Sequence, residues 1–327
     1  MNGTDGDGAG GDVGGDVRAD VGSDGGGEVF DEDRAGEREW LAARFEEHRA
    51  HLRAVAYRML GSVTEADDAV QDAWLRVSRA GADGVENLGG WLTTIVARVC
   101  LNVLRARASR PEEPGGLWLP DPVLGREGEP DPEQEALLAD SVGLALIVVL
   151  GTLSPAERLA FVLHDMFDLP FDQIAPMVGR SPAAARQLAS RARRRVREGG
   201  APAPDPDLAA QREVVDAFFA AARGGDFDGL VALLDPEIVL RADTGADRPG
   251  VPVTVRGPQP VAARAMMFAR PAADVRPVLV NGAAGVLVQV AGQPVSLMAF
   301  TVTAGRVAAI DSITDPQRLA RLARTAG

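Results

Sequence analysis

Two breaks that neither helix nor strand can cross decide how this chain folds. Residues 111–135 hold six prolines (Pro111, Pro114, Pro120, Pro122, Pro130, Pro132) among many acids. Proline fixes its own φ, lacks an amide donor and pushes the preceding residue into extended conformations. The second break is Gly199-Gly200-Ala-Pro-Ala-Pro-Asp-Pro206. Three modules must therefore build their own cores, over 39–110, 136–198 and 208–327, with 111–135 and 199–207 as linkers. A chain of 327 residues with 46% apolar side chains can supply them. Residues 1–38, rich in Gly and Asp, have little to bury and are expected to form a disordered acidic tail.

Charge sorts the segments further. The formal net charge of -13 argues at first against a nucleic-acid partner, but the acids are concentrated in the tail and the first linker. Residues 141–198 carry 8 arginines against 5 acids, as a phosphate-facing module would. Every one of the 34 basic residues is Arg, a bias best explained by coding composition. The single cysteine, Cys100, excludes an internal disulfide and fits a reducing compartment. No apolar run approaches the roughly 20 residues of a membrane span, and no signal peptide opens the chain. A soluble cytoplasmic protein without a membrane partner is the expectation.

Within the first module, Trp40, Leu41, Phe45, Leu52, Val55 and Met59 keep one helical face apolar. After Gly61, Thr64 and Asp67 read as the capped start of a second helix that buries Ala66, Ala69, Val70, Ala73, Trp74 and Val77. A third helix is predicted from about Trp91 to Arg107. In the second module, Ser154-Pro-Ala-Glu157 is a strong helix start. A short helix over 171–178, a turn at Gly179 and a helix from Ser181-Pro182 to Glu198 outline a helix-turn-helix. Ala185, Leu188, Ala189, Ala192 and Val196 form the buried stripe of that last helix. Arg186, Gln187, Ser190 and Arg191 come early enough to reach base edges, while the later arginines, Arg193, Arg194 and Arg197, suit phosphates.

Taken together, residues 40–198 resemble the extracytoplasmic-function family of sigma-70-type RNA polymerase sigma factors, which keep regions 2 and 4. Thr64-Glu-Ala-Asp-Asp-Ala-Val-Gln-Asp-Ala-Trp-Leu-Arg76 resembles the region 2 helix that docks on the polymerase β′ subunit. The resemblance implies contacts there from Asp67, Asp68, Gln71, Asp72 and Leu75. Gly90 to Arg107 resembles the helix facing the −10 element, which implies Arg98, Asn102, Arg105 and Arg107 as DNA contacts. Leu153-Ser-Pro-Ala-Glu-Arg158 and Ile174 to Arg194 resemble region 4, implying that Ser181, Arg186, Gln187, Ser190, Arg191 and Arg194 read the −35 element. Core polymerase (β′ and β) and promoter DNA are the implied partners. An ordinary helix-turn-helix regulator would have no use for the acidic Thr64–Arg76 helix.

Leu117-Trp-Leu-Pro-Asp-Pro122 is similar to the Trp-Leu-Pro-Glu-Pro signature of a sigma factor J-like subgroup with a C-terminal SnoaL-like domain; Asp121 replaces the usual Glu. Residues 208–327 fit this independently: two helices, then strand signals at 238–240, 251–255, 275–280, 286–290, 295–302 and 307–313, punctuated by Gly282, Gly285, Gly292 and Gly305. Helices first and antiparallel strands after is an α+β pattern. The whole chain is thus expected to be multidomain, two all-α modules followed by an α+β curved-sheet cone. Subgroup motifs have counterparts at Asp243-Thr-Gly245-Ala and Asp315-Pro316-Gln-Arg318-Leu319. By resemblance, Trp118, Leu119, Pro120, Asp243, Gly245, Asp315, Pro316, Arg318 and Leu319 would join the C-terminal domain to region 2 and the linker, with a small molecule in the cone as a further candidate partner. The carboxylates available for catalysis, Asp235, Asp243 and Asp311, each have a structural reading, so no enzyme activity, cofactor or metal is expected.

Overall fold

The computed structural model describes residues 26–109, 119–125, 143–199, 203–245, 254–269 and 272–325. The stretch up to Trp40 and residues 41–327 are separate compact units. In the first, helix α1 begins at Gly26 and runs on to Leu60. This corrects the expected tail over its last part.

The second unit starts with the remainder of α1, followed by α2 (Val63–Ala80) and α3 (Leu88–Ala108). The cap of α2 is Ser62, whose hydroxyl accepts from the Glu65 amide. The expected start at Thr64 was therefore two residues late. Gly61, at φ 77°, reverses the chain so that Ser62 can adopt the extended geometry a cap requires. Phe45, Leu52, Val55, Tyr57 and Met59 of α1 bury against Ala69, Val70, Leu92 and Val96. Trp74 packs on Phe45 with ring centroids 5.1 Å apart.

Next come α4 (Leu144–Gly151), α5 (Pro155–Phe161) with a π-helical turn at Val162–Met166, α6 (Phe171–Val178) and α7 (Pro182–Glu198). Ser154 and Glu157 form a full capping box on α5. Gly179 closes α6 in the left-handed region at φ 64°, which glycine enters without penalty. This turn sets α7 across α6. The two helical modules share one apolar cluster rather than standing apart.

The third module opens with α8 (Leu208–Gly224) and α9 (Phe227–Leu233), then β2 (Leu234–Asp243), β3 (Thr254–Arg256), α10 (Pro258–Phe268), β4 (Asp274–Val280), β5 (Ala283–Val290), β6 (Gln293–Thr303), β7 (Arg306–Ile313) and α11 (Pro316–Thr325). The sheet order is β1-β4-β5-β6-β7-β2-β3, where β1 is Leu124–Gly125 of the first linker. The architecture is the expected pair of all-α modules followed by an α+β curved-sheet module, with one correction to the strand directions. β7 runs parallel to β2, because the chain leaves β2 through β3 and α10 before it starts the β4–β7 meander. Arg241 and Asp311 are partners in that parallel register and form a buried ion pair at 2.6 Å. Helices α8 and α10 leave a cavity of about 460 Å³ against the sheet.

Candidate nucleic-acid interface and the clamp behind it

Helix α2 turns its small apolar residues inward and leaves Asp68, Gln71, Asp72 and Leu75 outside. Their spacing of three and four residues makes one stripe along the helix. Leu75 is 43% exposed at its end, an apolar anchor beside acids. Asp72 is bridged to Arg76 at 2.8 Å, and Asp67 sits at the stripe's edge, held by Arg53 of α1 at 2.5 Å.

On α3, Arg98, Asn102 and Arg105 are exposed in a row, while Leu92, Val96, Cys100 and Leu104 face the core. Burial pushes the Cys100 thiol up to about 12, so it is an inert core group. Arg107 stands apart from the row: it forms an ion pair with Glu65 and its Nη1 reaches the Leu60 carbonyl at 3.4 Å.

Helix α7 separates its arginines in a way the sequence does not reveal. Arg186, Gln187, Ser190 and Arg194 are exposed along one line, with Arg186 stacked over Phe171 at 5.2 Å. Ser181 caps the helix by accepting from the Ala184 amide. Arg191 and Arg195 both turn to Glu157 of α5, at 3.4 and 3.0 Å, and Arg193 pairs with Asp165. These three anchor α7 to its module. Burial tends to raise the Glu157 carboxyl, but the Ser154 hydrogen bonds and the two arginine charges outweigh it and hold the group below its ordinary value.

The two helical modules are locked face to face. Arg158 of α5 donates to the Arg58 carbonyl of α1 through Nε at 3.2 Å and Nη2 at 3.0 Å. Arg58 lies over Phe167 at 4.9 Å. Burial, and then the charge of Arg107, draw the Arg158 guanidinium down to about 10. A desolvated cation at a contact is costly, so this seam gains hydration when it opens.

Residues 119–125 are held from both sides. Arg318 of α11 forms ion pairs with Asp243 and with Asp121, the latter at 2.6 Å, and donates to the Leu119 carbonyl at 2.8 Å. Asp243 accepts from the Leu119 amide at 3.1 Å and from the Gly245 amide at 3.0 Å. Asp315 caps α11 by accepting from the Arg318 amide, and Pro316 takes its first position. Leu319 packs in one cluster with Leu119. Gly245 has φ 74°, and a Cβ there would collide with the Asp315 carboxylate. In Asp243-Thr-Gly245 the acid is therefore the charge partner of Arg318 and the glycine makes room for Asp315. Pro120 lies half-buried beside Gly61. Trp118 lies outside the described residues.

Sequence reasoning missed the other half of this clamp. The Tyr57 hydroxyl of α1 donates to the Asp121 carbonyl at 3.1 Å and accepts from Asn281 Nδ2 at 3.0 Å. Asn281 Oδ1 and its backbone amide bond to the Val123 amide and carbonyl, each at 2.8 Å. The Asp121 amide donates to the Gly61 carbonyl at 3.1 Å. Asn281-Gly282 was legible as a tight hairpin turn, and both residues have positive φ. The role of the asparagine side chain had no local signal. The candidate acids are occupied elsewhere: Asp311 by Arg241, Asp243 by Arg318, and Asp235 by the Glu237 amide at 2.8 Å. None of the three lines the cavity.

Two helical readers joined to a curved-sheet module by a clamped linker define a two-region transcription-initiation factor with an appended domain. Comparison with known proteins agrees: residues 44–110 match Sigma-70 region 2, and residues 143–196 match Sigma-70, region 4. The ECF RNA polymerase sigma factor SigJ of Mycobacterium tuberculosis is 43% identical over 216 residues, 66% of this chain and 69% of that protein. The probable ECF RNA polymerase sigma factor SigI of the same organism is 33% identical over 286 residues, 85% of this chain and 94% of that protein. The crystal structure of Mycobacterium tuberculosis SigJ superposes with a TM-score of 0.67 at 36% identity, covering 85% of this chain and 98% of that one. The chain belongs to the ECF RNA polymerase sigma factors.

Proposed function

We propose that this chain binds core RNA polymerase and directs promoter recognition, and that its C-terminal module keeps it closed until it does so. In this reading, region 2 spans 39–110, region 4 spans 136–198 and the regulatory module spans 208–327. Asp67, Asp68, Gln71, Asp72 and Leu75 meet the polymerase. Arg98, Asn102 and Arg105 face the −10 element, with Arg107 freed to join them when its pairing with Glu65 opens. Arg186, Gln187, Ser190 and Arg194 read the −35 element from a helix capped by Ser181. Arg191 trades Glu157 for phosphate. The protein works in the cytoplasm, and the C-terminal module performs no chemistry. That last point is supported by the occupation of its candidate carboxylates in structural pairs.

The observation that carries the closed-state reading is the clamp on 119–125, held by α1 on one side and by Arg318, Asp243 and Asn281 on the other. Scale supplies the second argument. The −10 and −35 elements lie about 25 base pairs apart, roughly 85 Å at about 3.4 Å per base pair. A compact body of the size of the second unit, residues 41–327, is only about 50 Å across. Both readers cannot engage a promoter while Arg158 stays in its seam, so the modules must part. The test compares the full chain, residues 1–207, and Asp243→Asn for binding to core polymerase and for promoter-dependent transcription. Truncation and Asp243→Asn are expected to change holoenzyme assembly or output in the same direction. Promoter-dependent initiation that is identical for all three would contradict the closed-state reading, and an absence of polymerase binding by every one would contradict the sigma-factor reading itself.

A further inference from the structure

The cavity of the third module is a built pocket with a directional chemistry. Its apolar wall comes from Phe218, Phe219, Val288 and Met298, and two arginines, Arg223 and Arg264, open on it. Among the described residues no acid and no histidine lines it. Phe218 and Phe219 meet edge to face at 5.6 Å. Arg264 is half-buried on α10 over Phe268, 5.1 Å from the ring centroid. The hydroxyls of Ser296 and Ser312, which line the floor, lie 3.0 Å apart. A bonded hydroxyl pair retains one free donor for an oxygen in the pocket. About 460 Å³ is the volume of a small-molecule site.

The far wall of the same pocket is the back of the clamp. Thr244, Thr314, Pro316 and Leu319 line it. Thr314 donates to the Asp243 carbonyl through its amide at 2.8 Å and its hydroxyl at 3.2 Å. Leu319 packs with Leu119, one residue from the Arg318 guanidinium that holds the linker. A molecule that fills the pocket touches the two segments whose other sides grip residues 119–125.

We propose that this pocket binds an amphiphilic organic anion, an apolar body bearing one carboxylate, and that occupancy loosens the clamp on residues 119–125. The apolar body lies on the phenylalanine wall, and the carboxylate takes the arginines. Anion selectivity follows from the lining, because two cations with no facing acid hold a carboxylate by charge-assisted bonds, bind a neutral hydroxyl by ordinary hydrogen bonds only, and repel a cationic head. This deepens the closed-state reading and rests on it.

The test titrates the full chain by calorimetry with dodecanoate below its micelle concentration and with dodecanol below its solubility limit. Dodecanoate is expected to bind at one site about tenfold or more tightly than the alcohol, the 1.4 kcal/mol that a tenfold ratio represents. Arg223→Ala with Arg264→Ala should erase that difference, and Ala265→Trp, which fills the cavity, should abolish both titrations. Saturation with dodecanoate should raise amide exchange at Leu119, Asp121 and Val123 about tenfold. Equal affinity for acid and alcohol, no binding of either, or binding that survives Ala265→Trp would overturn the site, while unchanged exchange at saturation would overturn its coupling to the clamp. Polymerase binding by the full chain and by residues 1–207 is measured separately, so a failure here is distinguishable from a failure of the closed-state reading.

Discussion

Tyr57 is the protein's only tyrosine, and it sits fully buried where three parts of the chain meet. Its hydroxyl joins the Asp121 carbonyl to the Asn281 amide group. Burial, against smaller lowering effects from Asn281 and nearby arginines, moves that hydroxyl far above the ordinary tyrosine value, so it acts only as a neutral hydrogen-bonding group. Tyr57→Phe keeps the ring in the core and removes the hydroxyl that bonds the Asn281 amide and the Asp121 carbonyl. An unmade buried bond of this kind costs about 1–3 kcal/mol. We therefore predict a lower thermal midpoint together with faster proteolysis between residues 119 and 125; a variant as resistant as the parent would show that the hydroxyl does not hold the linker. Asp243 belongs to the same scale. Its partner Arg318 is 2% exposed, and Asp243→Asn leaves that buried charge with Asp121 alone, so the cost should be smaller than the roughly 3–5 kcal/mol of a buried charge that has lost every partner. Asp243→Asn is for that reason the point substitution chosen to release the closed state.

At the scale of elements, the amphipathic helices were legible because each buries one face at its own period, and the β-meander because short apolar, valine-rich runs alternate with glycine turns. The exposed stripes of α2 and α7 follow from the same periodicity. Three features escaped. Helix α10 opens Pro258-Gln-Pro260 after Gly257, which reads as a loop, yet proline is well placed where an amide would be unpaired anyway. Strand β1 is two residues long inside a proline-rich linker, and only the waiting edge of β4 makes it a strand. The division of the α7 arginines into anchors and free side chains depends on where Glu157 and Asp165 lie after docking, which no spacing within α7 encodes. Glu157 offers a test at this scale. Its folded carboxyl is held below the ordinary 4.5, so its contribution is fully present above that value and is lost as pH falls through the lowered one. Glu157→Gln keeps a side chain that can close the capping box but removes the charge that Arg191 and Arg195 pair with, so it should cost about 1 kcal/mol or less at neutral pH, and the penalty should shrink as pH falls through the lowered value. A penalty independent of pH would assign the effect to packing instead of charge.

At the scale of the whole molecule, the chain is two readers folded against each other and a third module that holds the segment between them. The seam is poised, since Arg158 regains water when it parts while the clamp opposes that gain. Such a balance makes the arrangement switchable by a partner that binds the open form more tightly. Core polymerase with promoter DNA is that partner in the present account. The most direct test is the distance between labels on Ala80→Cys at the end of α2 and Glu198→Cys at the end of α7, both exposed positions. Cys100, buried with its thiol near 12, will not compete for the label. The free full-length chain should give one short distance within a body about 50 Å across, and core polymerase with promoter should lengthen it beyond that span. Residues 1–207 should give a long or broad distribution without any partner. An identical short distance in the full chain, the truncated chain and the polymerase complex would contradict the account.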